Sequence, residues 1–187
     1  MLVIVQARLS SKRFKNKVLS QIYGAVLIQH IINRLKKSKK IKEIVVSTSK
    51  NKTDDKLIKY LKKSNIRYYR GDLYNVSKRL YSTAKKNKAK FFIRINGDSP
   101  LIDYKLINKA IILHKKNKDF DIITNVFPRT FPSGQSVEII KTSLLRNNLN
   151  FFNKNELEHV TKFFYKNSNK FKIYNFKYNG KKSFFKQ

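Results

Sequence analysis

Two short stretches hold residues whose types and spacing suit phosphate chemistry. The first runs Gln6-Ala7-Arg8-Leu9-Ser10-Ser11-Lys12-Arg13-Phe14-Lys15-Asn16-Lys17. Arg8 and Arg13 carry planar forks that can chelate phosphate oxygens, and Lys17 brings a mobile point charge. Ser11 can add a hydrogen bond. The plain alternative is a solvated basic loop in a chain that is basic throughout. The second stretch is Asn96-Gly97-Asp98-Ser99-Pro100. A carboxylate in such a turn can reach a metal ion on nucleotide phosphates. Mg²⁺ suits the task because it needs few protein ligands, phosphates and waters filling its octahedron. The alternative is Asp98 as a helix cap. Cysteine is absent, which excludes thiolate chemistry and a disulfide framework.

The elements that hold these stretches follow from hydrophobic period. Leu2-Val3-Ile4-Val5 is mostly β-branched and reads as a buried strand leading straight into the first stretch. Phe91-Phe92-Ile93-Arg94-Ile95 is a strand leading into the second. Between them the spacing predicts a helix over 24–38, a strand over 43–48, a helix from Thr53 to about Lys63, a short strand over 66–69 and a helix over 75–87. Beyond them come a helix over 104–116, a strand over 121–124, a loop over 126–134 and a strand over 137–140. Helices over 142–148 and 156–166 and a strand over 172–178 complete the reading. This alternation predicts an α/β fold with a mostly parallel sheet covered by helices on both faces. Ligands of such sheets bind beyond the carboxyl ends of the strands, where Arg8, Thr48 and Asp98 are expected to gather.

The order of these residues resembles the sugar-activating cytidylyltransferases, and within them the spore coat polysaccharide biosynthesis protein F-like branch, relatives of the CMP-Kdo and CMP-sialic acid synthetases. Gln6-Ala7-Arg8, Ser11, Arg13 and Lys17 match that family's opening Gln-Ala-Arg and Ser-x-Arg-x-Pro-Gly-Lys, with Lys15 and Asn16 in place of Pro and Gly. Arg94-Ile95-x-Gly97-Asp98-x-Pro100-Leu101-Ile102-Asp103 is similar to its Arg-Ile-Thr-Gly-Asp-Cys-Pro-Leu-Ile-Asp. Val76-x-x-Arg79, the 125–138 segment with Pro128-Arg129 and Val137-Glu138, and Glu158-His159-Val160-Thr161 also match, in one order along nearly the whole chain.

The resemblance implies a Rossmann-like nucleotidyltransferase fold of the glycosyltransferase-A type. It implies a reaction joining CTP and a sugar acid into a CMP-sugar and pyrophosphate, for surface polysaccharide biosynthesis. Arg8, Arg13, Lys17 and Asp98 become the catalytic residues. Ala7, Arg8, Ser11, Arg13, Lys17 and Arg79 are expected to bind nucleotide, and Asp98 to hold Mg²⁺. Arg129, Glu138, Glu158 and His159 are expected to meet the sugar, with His159 also a candidate base because imidazole titrates near physiological pH. The chain departs from the pattern at Ser136, where the family often has aspartate. The family's Asp-Thr-x-Glu-Asp segment, whose aspartate supplies a second metal carboxylate, has no counterpart up to Gln187. The expectation is a single domain over 1–187, short at its C-terminus, with Asp98 holding the metal beside waters and phosphates.

The charge needs its own account. Lys and Arg number 43 against 11 Asp and Glu, giving +32. A protein this basic raises nucleic acid or an anionic membrane as a partner. The lysines are spread along the chain with abundant Asn, Ile, Phe and Tyr, and no nucleic-acid motif accompanies them. That pattern reads as genome composition, with no specific nucleic-acid partner. No apolar run approaches the roughly 20 residues of a membrane span and no signal peptide is evident, so a cytoplasmic protein is expected. Family members are often dimers, and aromatics near the C-terminus would suit a homodimer contact. Two alternatives stand beside the enzyme: a catalytically impaired nucleotide- or polyanion-binding member of the family, and a glycosyltransferase-like protein.

Overall fold

The computed structural model describes residues 1–10 and 14–179. Its centre is β1, Leu2–Gln6, with every side chain from Leu2 to Val5 buried. The other strands are β2 (Gln21–Ile22), β3 (Ala25–Val26), β4 (Glu43–Ser49), β5 (Tyr68–Gly71), β6 (Phe91–Asn96), β7 (Ile122–Thr124), β8 (Glu138–Lys141) and β9 (Ile173–Asn175). The helices are α1 (Leu27–Lys36), α2 (Asp55–Lys63), α3 (Val76–Lys86), α4 (Tyr104–Lys116), α5 (Thr142–Asn148), α6 (Lys154–Glu158) and α7 (Lys162–Lys166).

Seven strands form one sheet in the order β5-β4-β1-β6-β8-β7-β9. β5, β4, β1 and β6 are parallel, β8 runs against its neighbours β6 and β7, and β7 pairs in parallel with β9. The expected mostly parallel sheet is therefore present, with β8 reversed. The pleat of β1 sorts the core into its two faces, because successive strand side chains point oppositely. Val3 and Val5 pack with Ile28, Ile31, Leu57, Ile107 and Ile111 of α1, α2 and α4. Leu2 and Ile4 pack with Val76, Leu80, Leu144, Leu145 and Phe164 of α3, α5 and α7. Helices thus cover both faces, as the alternation predicts.

Three segments differ from the sequence reading for local reasons. The helix expected from residue 24 begins at Leu27, because Tyr23 and Gly24 take φ of 43° and 78° and turn β2 into β3. Two consecutive positive φ values make the hairpin turn that matches strand twist. The helix expected over 156–166 is two helices. His159, with φ −104° and ψ 73°, ends α6, and the chain restarts at Lys162. The short strand expected over 66–69 lies at Tyr68–Gly71. No helix among the described residues is long and apolar enough to cross a membrane.

Sequence order reverses direction in the sheet at β1, which lies between β4 and β6. Crevices at such switch points, beyond the strand carboxyl ends, are where α/β sheets bind ligands. Gln6 ends β1 beside Asn96, the last residue of β6.

Candidate functional site

Gly97 brings the two chain segments together. Its N–H donates to Gln6 O at 2.8 Å. A Cβ on Gly97 would sit 2.7 Å from that carbonyl and 2.8 Å from the Ala7 Cβ, so the approach requires glycine. The result is an open cavity of about 250 Å³ over the ends of β1 and β6. Ala7, Arg8, Lys17, Arg94, Asp98 and His159 are among the residues lining it.

Its charges are already matched. Arg8 places Nη2 2.5 Å from Glu158 Oε1 and donates from Nη1 to Leu73 O at 3.3 Å. Lys17, in a single helical turn over Lys17–Leu19, places Nζ 3.4 Å from Asp98 Oδ2. These partners are far apart in sequence, so the fold alone unites them. Both ion pairs are partly exposed and contribute little to stability. They leave cations and carboxylates free to exchange partners when an anion enters.

A second cavity of about 370 Å³ adjoins the first through shared Arg94 and His159. Phe127, Thr161, Lys162, Tyr165 and Lys166 complete its lining. Phe127 stacks on Tyr165 with ring centroids 4.6 Å apart and planes 4° from parallel. Beneath lies a buried polar network. Glu138 pairs with Arg94 through Oε2 and accepts from the Tyr165 hydroxyl through Oε1 at 2.6 Å. Arg94 also donates from Nε to Gln6 Oε1 at 3.1 Å and from Nη2 to Asn96 Oδ1 at 3.2 Å. Burial, then the Glu138 charge, pushes the Tyr165 hydroxyl well above the usual tyrosine range, so it remains a donor. β6 and β8 set this pairing, because Arg94 and Glu138 are cross-strand partners.

Arg79 sits inside the fold rather than on a cavity wall. It is 1% exposed and donates from Nη1 to Asp72 O at 2.6 Å and Leu73 O at 3.4 Å. Burial and the neighbouring Arg8 charge lower its pKa to about 10, while Asp54 and Asp72 oppose that shift. Arg79 and Arg8 thus share the Leu73 carbonyl, and Arg79 underlies the loop that Arg8 grips.

Arg129 is exposed and donates to Ser136 Oγ at 3.1 Å, outside the lining of both cavities. Ser11 and Arg13 lie outside the described residues, as does the Lys181-to-Lys186 segment. Of the sequence-derived residues, the fold therefore brings Ala7, Arg8, Lys17, Asp98, Glu158 and His159 to one cavity. Sequence reasoning assigned no role to Arg94 or Tyr165. An arginine inside an otherwise apolar strand was the available signal for the first. Tyr165 gave none, since its hydroxyl partners come from β7 and β8.

Metal fit can be judged from the same residues. Asp98 is half-exposed at the cavity rim, paired with Lys17. Among the described residues no group of three or more His, Asp or Glu could hold a metal alone. A reachable carboxylate such as that of Asp98 fits an ion whose remaining ligands are phosphates and water.

The family comparison agrees with this geometry. Residues 2–187 match the family model described as Cytidylyltransferase. The chain belongs to the cytidylyltransferase family. It is 34% identical over 173 residues to the uncharacterized protein MJ1063 of Methanocaldococcus jannaschii, covering 91% of this chain and 69% of that one. It is 30% identical over 149 residues to the spore coat polysaccharide biosynthesis protein SpsF of Bacillus subtilis, covering 77% of this chain and 60% of that one. A solved cytidylyltransferase from Leptospira borgpetersenii superposes with a TM-score of 0.90 at 30% identity, covering 95% of this chain and 76% of that one. The resemblance read from the motifs is borne out, and the fold is the nucleotidyltransferase fold expected from it.

Proposed function

We propose that the protein transfers the cytidylyl group of CTP to a hydroxyl of a sugar acid, releasing pyrophosphate. The observation that carries this reading is the pair of joined cavities at the switch point, one lined by Arg8, Lys17 and Asp98 and the other by cations and stacked aromatic rings. Arg8 and Lys17 bind the triphosphate, exchanging Glu158 and Asp98 for phosphate oxygens. Arg13 and Ser11 join them, and Ala7 and Arg79 shape the nucleotide pocket. Asp98, once released from Lys17, holds Mg²⁺. That ion, when bound, neutralises charge on the reacting phosphate.

The acceptor occupies the second cavity. Lys162, Lys166 and Arg94 in its lining suit a carboxylate, and Phe127 and Tyr165 offer a flat apolar wall. Glu138 keeps Arg94 and Tyr165 in place, Arg129, exposed on the loop that also carries Phe127, meets the incoming sugar acid, and Glu158 hydrogen-bonds sugar hydroxyls. The acceptor hydroxyl attacks the α-phosphorus in line, a new P–O bond forms, and the bond to pyrophosphate breaks. His159 takes the hydroxyl proton, a role supported by its place in the lining of both cavities. Such transfer depends on positioning and charge stabilisation.

The similarity to SpsF, a spore coat polysaccharide biosynthesis protein, supports a part in surface polysaccharide synthesis. The test is pyrophosphate release by the purified chain with CTP, Mg²⁺ and a panel of sugar acids. Release that requires both a sugar acid and Asp98 is expected. CTP binding without release under every sugar acid would replace the enzyme with a nucleotide-binding protein.

A further inference from the structure

One buried carboxylate has no place in this chemistry. Asp54 is fully buried, and among the described residues its hydrogen-bond donors are neutral backbone and hydroxyl groups. Its Oδ1 accepts from the Leu9 N–H at 2.7 Å. Its Oδ2 accepts from Thr48 Oγ1 at 2.9 Å, Ser49 N–H at 3.0 Å and the Ser49 hydroxyl. Burying a charge is costly unless hydrogen bonds replace its water, and here donors from two separate segments do so.

The Leu9 bond is the informative one. Leu9 follows Arg8, and its own carbonyl accepts from Asn16 N–H at 3.1 Å, next to Lys17. Leu9 therefore forms the neck of the loop that carries the anion-facing cations. Its N–H is turned inward to Asp54, and its side chain is buried. With Leu9 clamped, Arg8 and Lys17 leave the neck toward the cavity, both in its lining. Asp54 also supplies the negative charge that favours protonated Arg79, under the Leu73 carbonyl that Arg8 grips.

We propose that Asp54 is the positioning residue of this loop, fixing Arg8 and Lys17 in the geometry that receives the nucleotide triphosphate. The inference rests on the nucleotide reading of the cavity. A neutral amide in place of the carboxylate keeps the volume but presents an N–H₂ group to donors, so one side of the clamp opens.

Three variants of the chain test this by calorimetric titration with CTP and Mg²⁺, with the melting temperature recorded for each. Asp54→Asn should weaken CTP binding about tenfold, a shift of about 1.4 kcal/mol. In pyrophosphate release it should raise the KM for CTP and leave that for the sugar acid unchanged. Asp55→Asn removes the same charge one residue away, where Asp55 faces solvent and pairs with Arg70 at 2.7 Å. It should leave CTP binding within about twofold. Ser49→Ala loosens the carboxylate without removing it and should weaken CTP binding about two- to threefold. A carboxylate that merely held the fold together would lower the melting temperature of Asp54→Asn and leave CTP affinity intact in the folded protein. That result overturns the inference. If Asp54→Asn does not fold, unchanged CTP affinity in Ser49→Ala overturns it instead. If the unaltered chain binds no CTP, the nucleotide reading itself fails and this inference falls with it.

Discussion

The two ends of the sheet make an instructive pair. At the amino ends of β4 and β5 lies a cavity of about 610 Å³, floored by Ile32, Leu35, Ile41, Ile44 and Ile66 and rimmed by Lys36, Lys42 and Arg67. At the carboxyl ends of β1 and β6 lies the smaller one, about 250 Å³, with Arg8, Lys17, Arg94, Asp98, Glu158 and His159. Both ends are basic. The amino end too carries an ion pair, Arg67 with Glu43, but among the described residues the glycine-enforced backbone approach and the buried Arg94–Glu138–Tyr165 network lie at the carboxyl end. Volume and positive charge therefore do not mark the chemistry. Groups held by several elements at once do.

The largest expected effect tests that network. Glu138→Ala leaves Arg94 and the Tyr165 hydroxyl without their buried acceptor, and breaking such a pair costs about 3–5 kcal/mol of stability. Chemical denaturation measures it, and a loss no greater than that of a surface substitution would remove the distinction between the two ends. Asp98→Ala should reduce pyrophosphate release on the order of a hundredfold, about 3 kcal/mol in the barrier, with little change in melting temperature. Gly97→Ala forces a Cβ against the Gln6 carbonyl and Ala7, so strain of about 1–3 kcal/mol should appear in denaturation together with weaker CTP binding.

A smaller effect separates ordinary core packing from the site. His114 is buried, lies tilted at 53° against Phe91 with ring centroids 4.3 Å apart, and has no hydrogen-bond partner for Nδ1 among the described residues. Burial foremost, then Lys118, lowers its pKa. The unfolded chain then binds this proton more readily than the native one, so His114's contribution is present above pH about 6.5 and is lost as pH falls through the lowered folded value. The melting temperature should decline on acidification below that point, and His114→Phe should flatten the decline. At the amino end, Lys42→Ala should change pyrophosphate release by less than about twofold, the ordinary range for a surface substitution.

Much of this molecule is legible in its sequence, for identifiable reasons. β1, β6 and the helices between them follow from apolar period, and Arg8, Lys17 and Asp98 follow from their place just beyond strand ends. The hairpin at Tyr23–Gly24 was hidden because Ala25 and Val26 continue the apolar pattern of α1. The break at His159 was hidden because Leu157, Val160 and Phe164 keep helical spacing across it. Asp54 reads as a helix start beside Asp55, and only the fold reveals that it turns inward to Leu9. Arg129, prominent in the sequence pattern, lies on the exposed loop, where it donates to Ser136. Residues that act through partners forty or more positions away leave no periodic trace.

The central claim is that nucleotide binds over the ends of β1 and β6. Amide hydrogen exchange with and without CTP and Mg²⁺ tests it directly. The account predicts slowed exchange at Ala7–Leu9, Asn96–Asp98 and Glu158–His159, with Ser38–Ile44 and Asn65–Arg67 unchanged. Protection at the amino-end segments with none at the carboxyl end would contradict it.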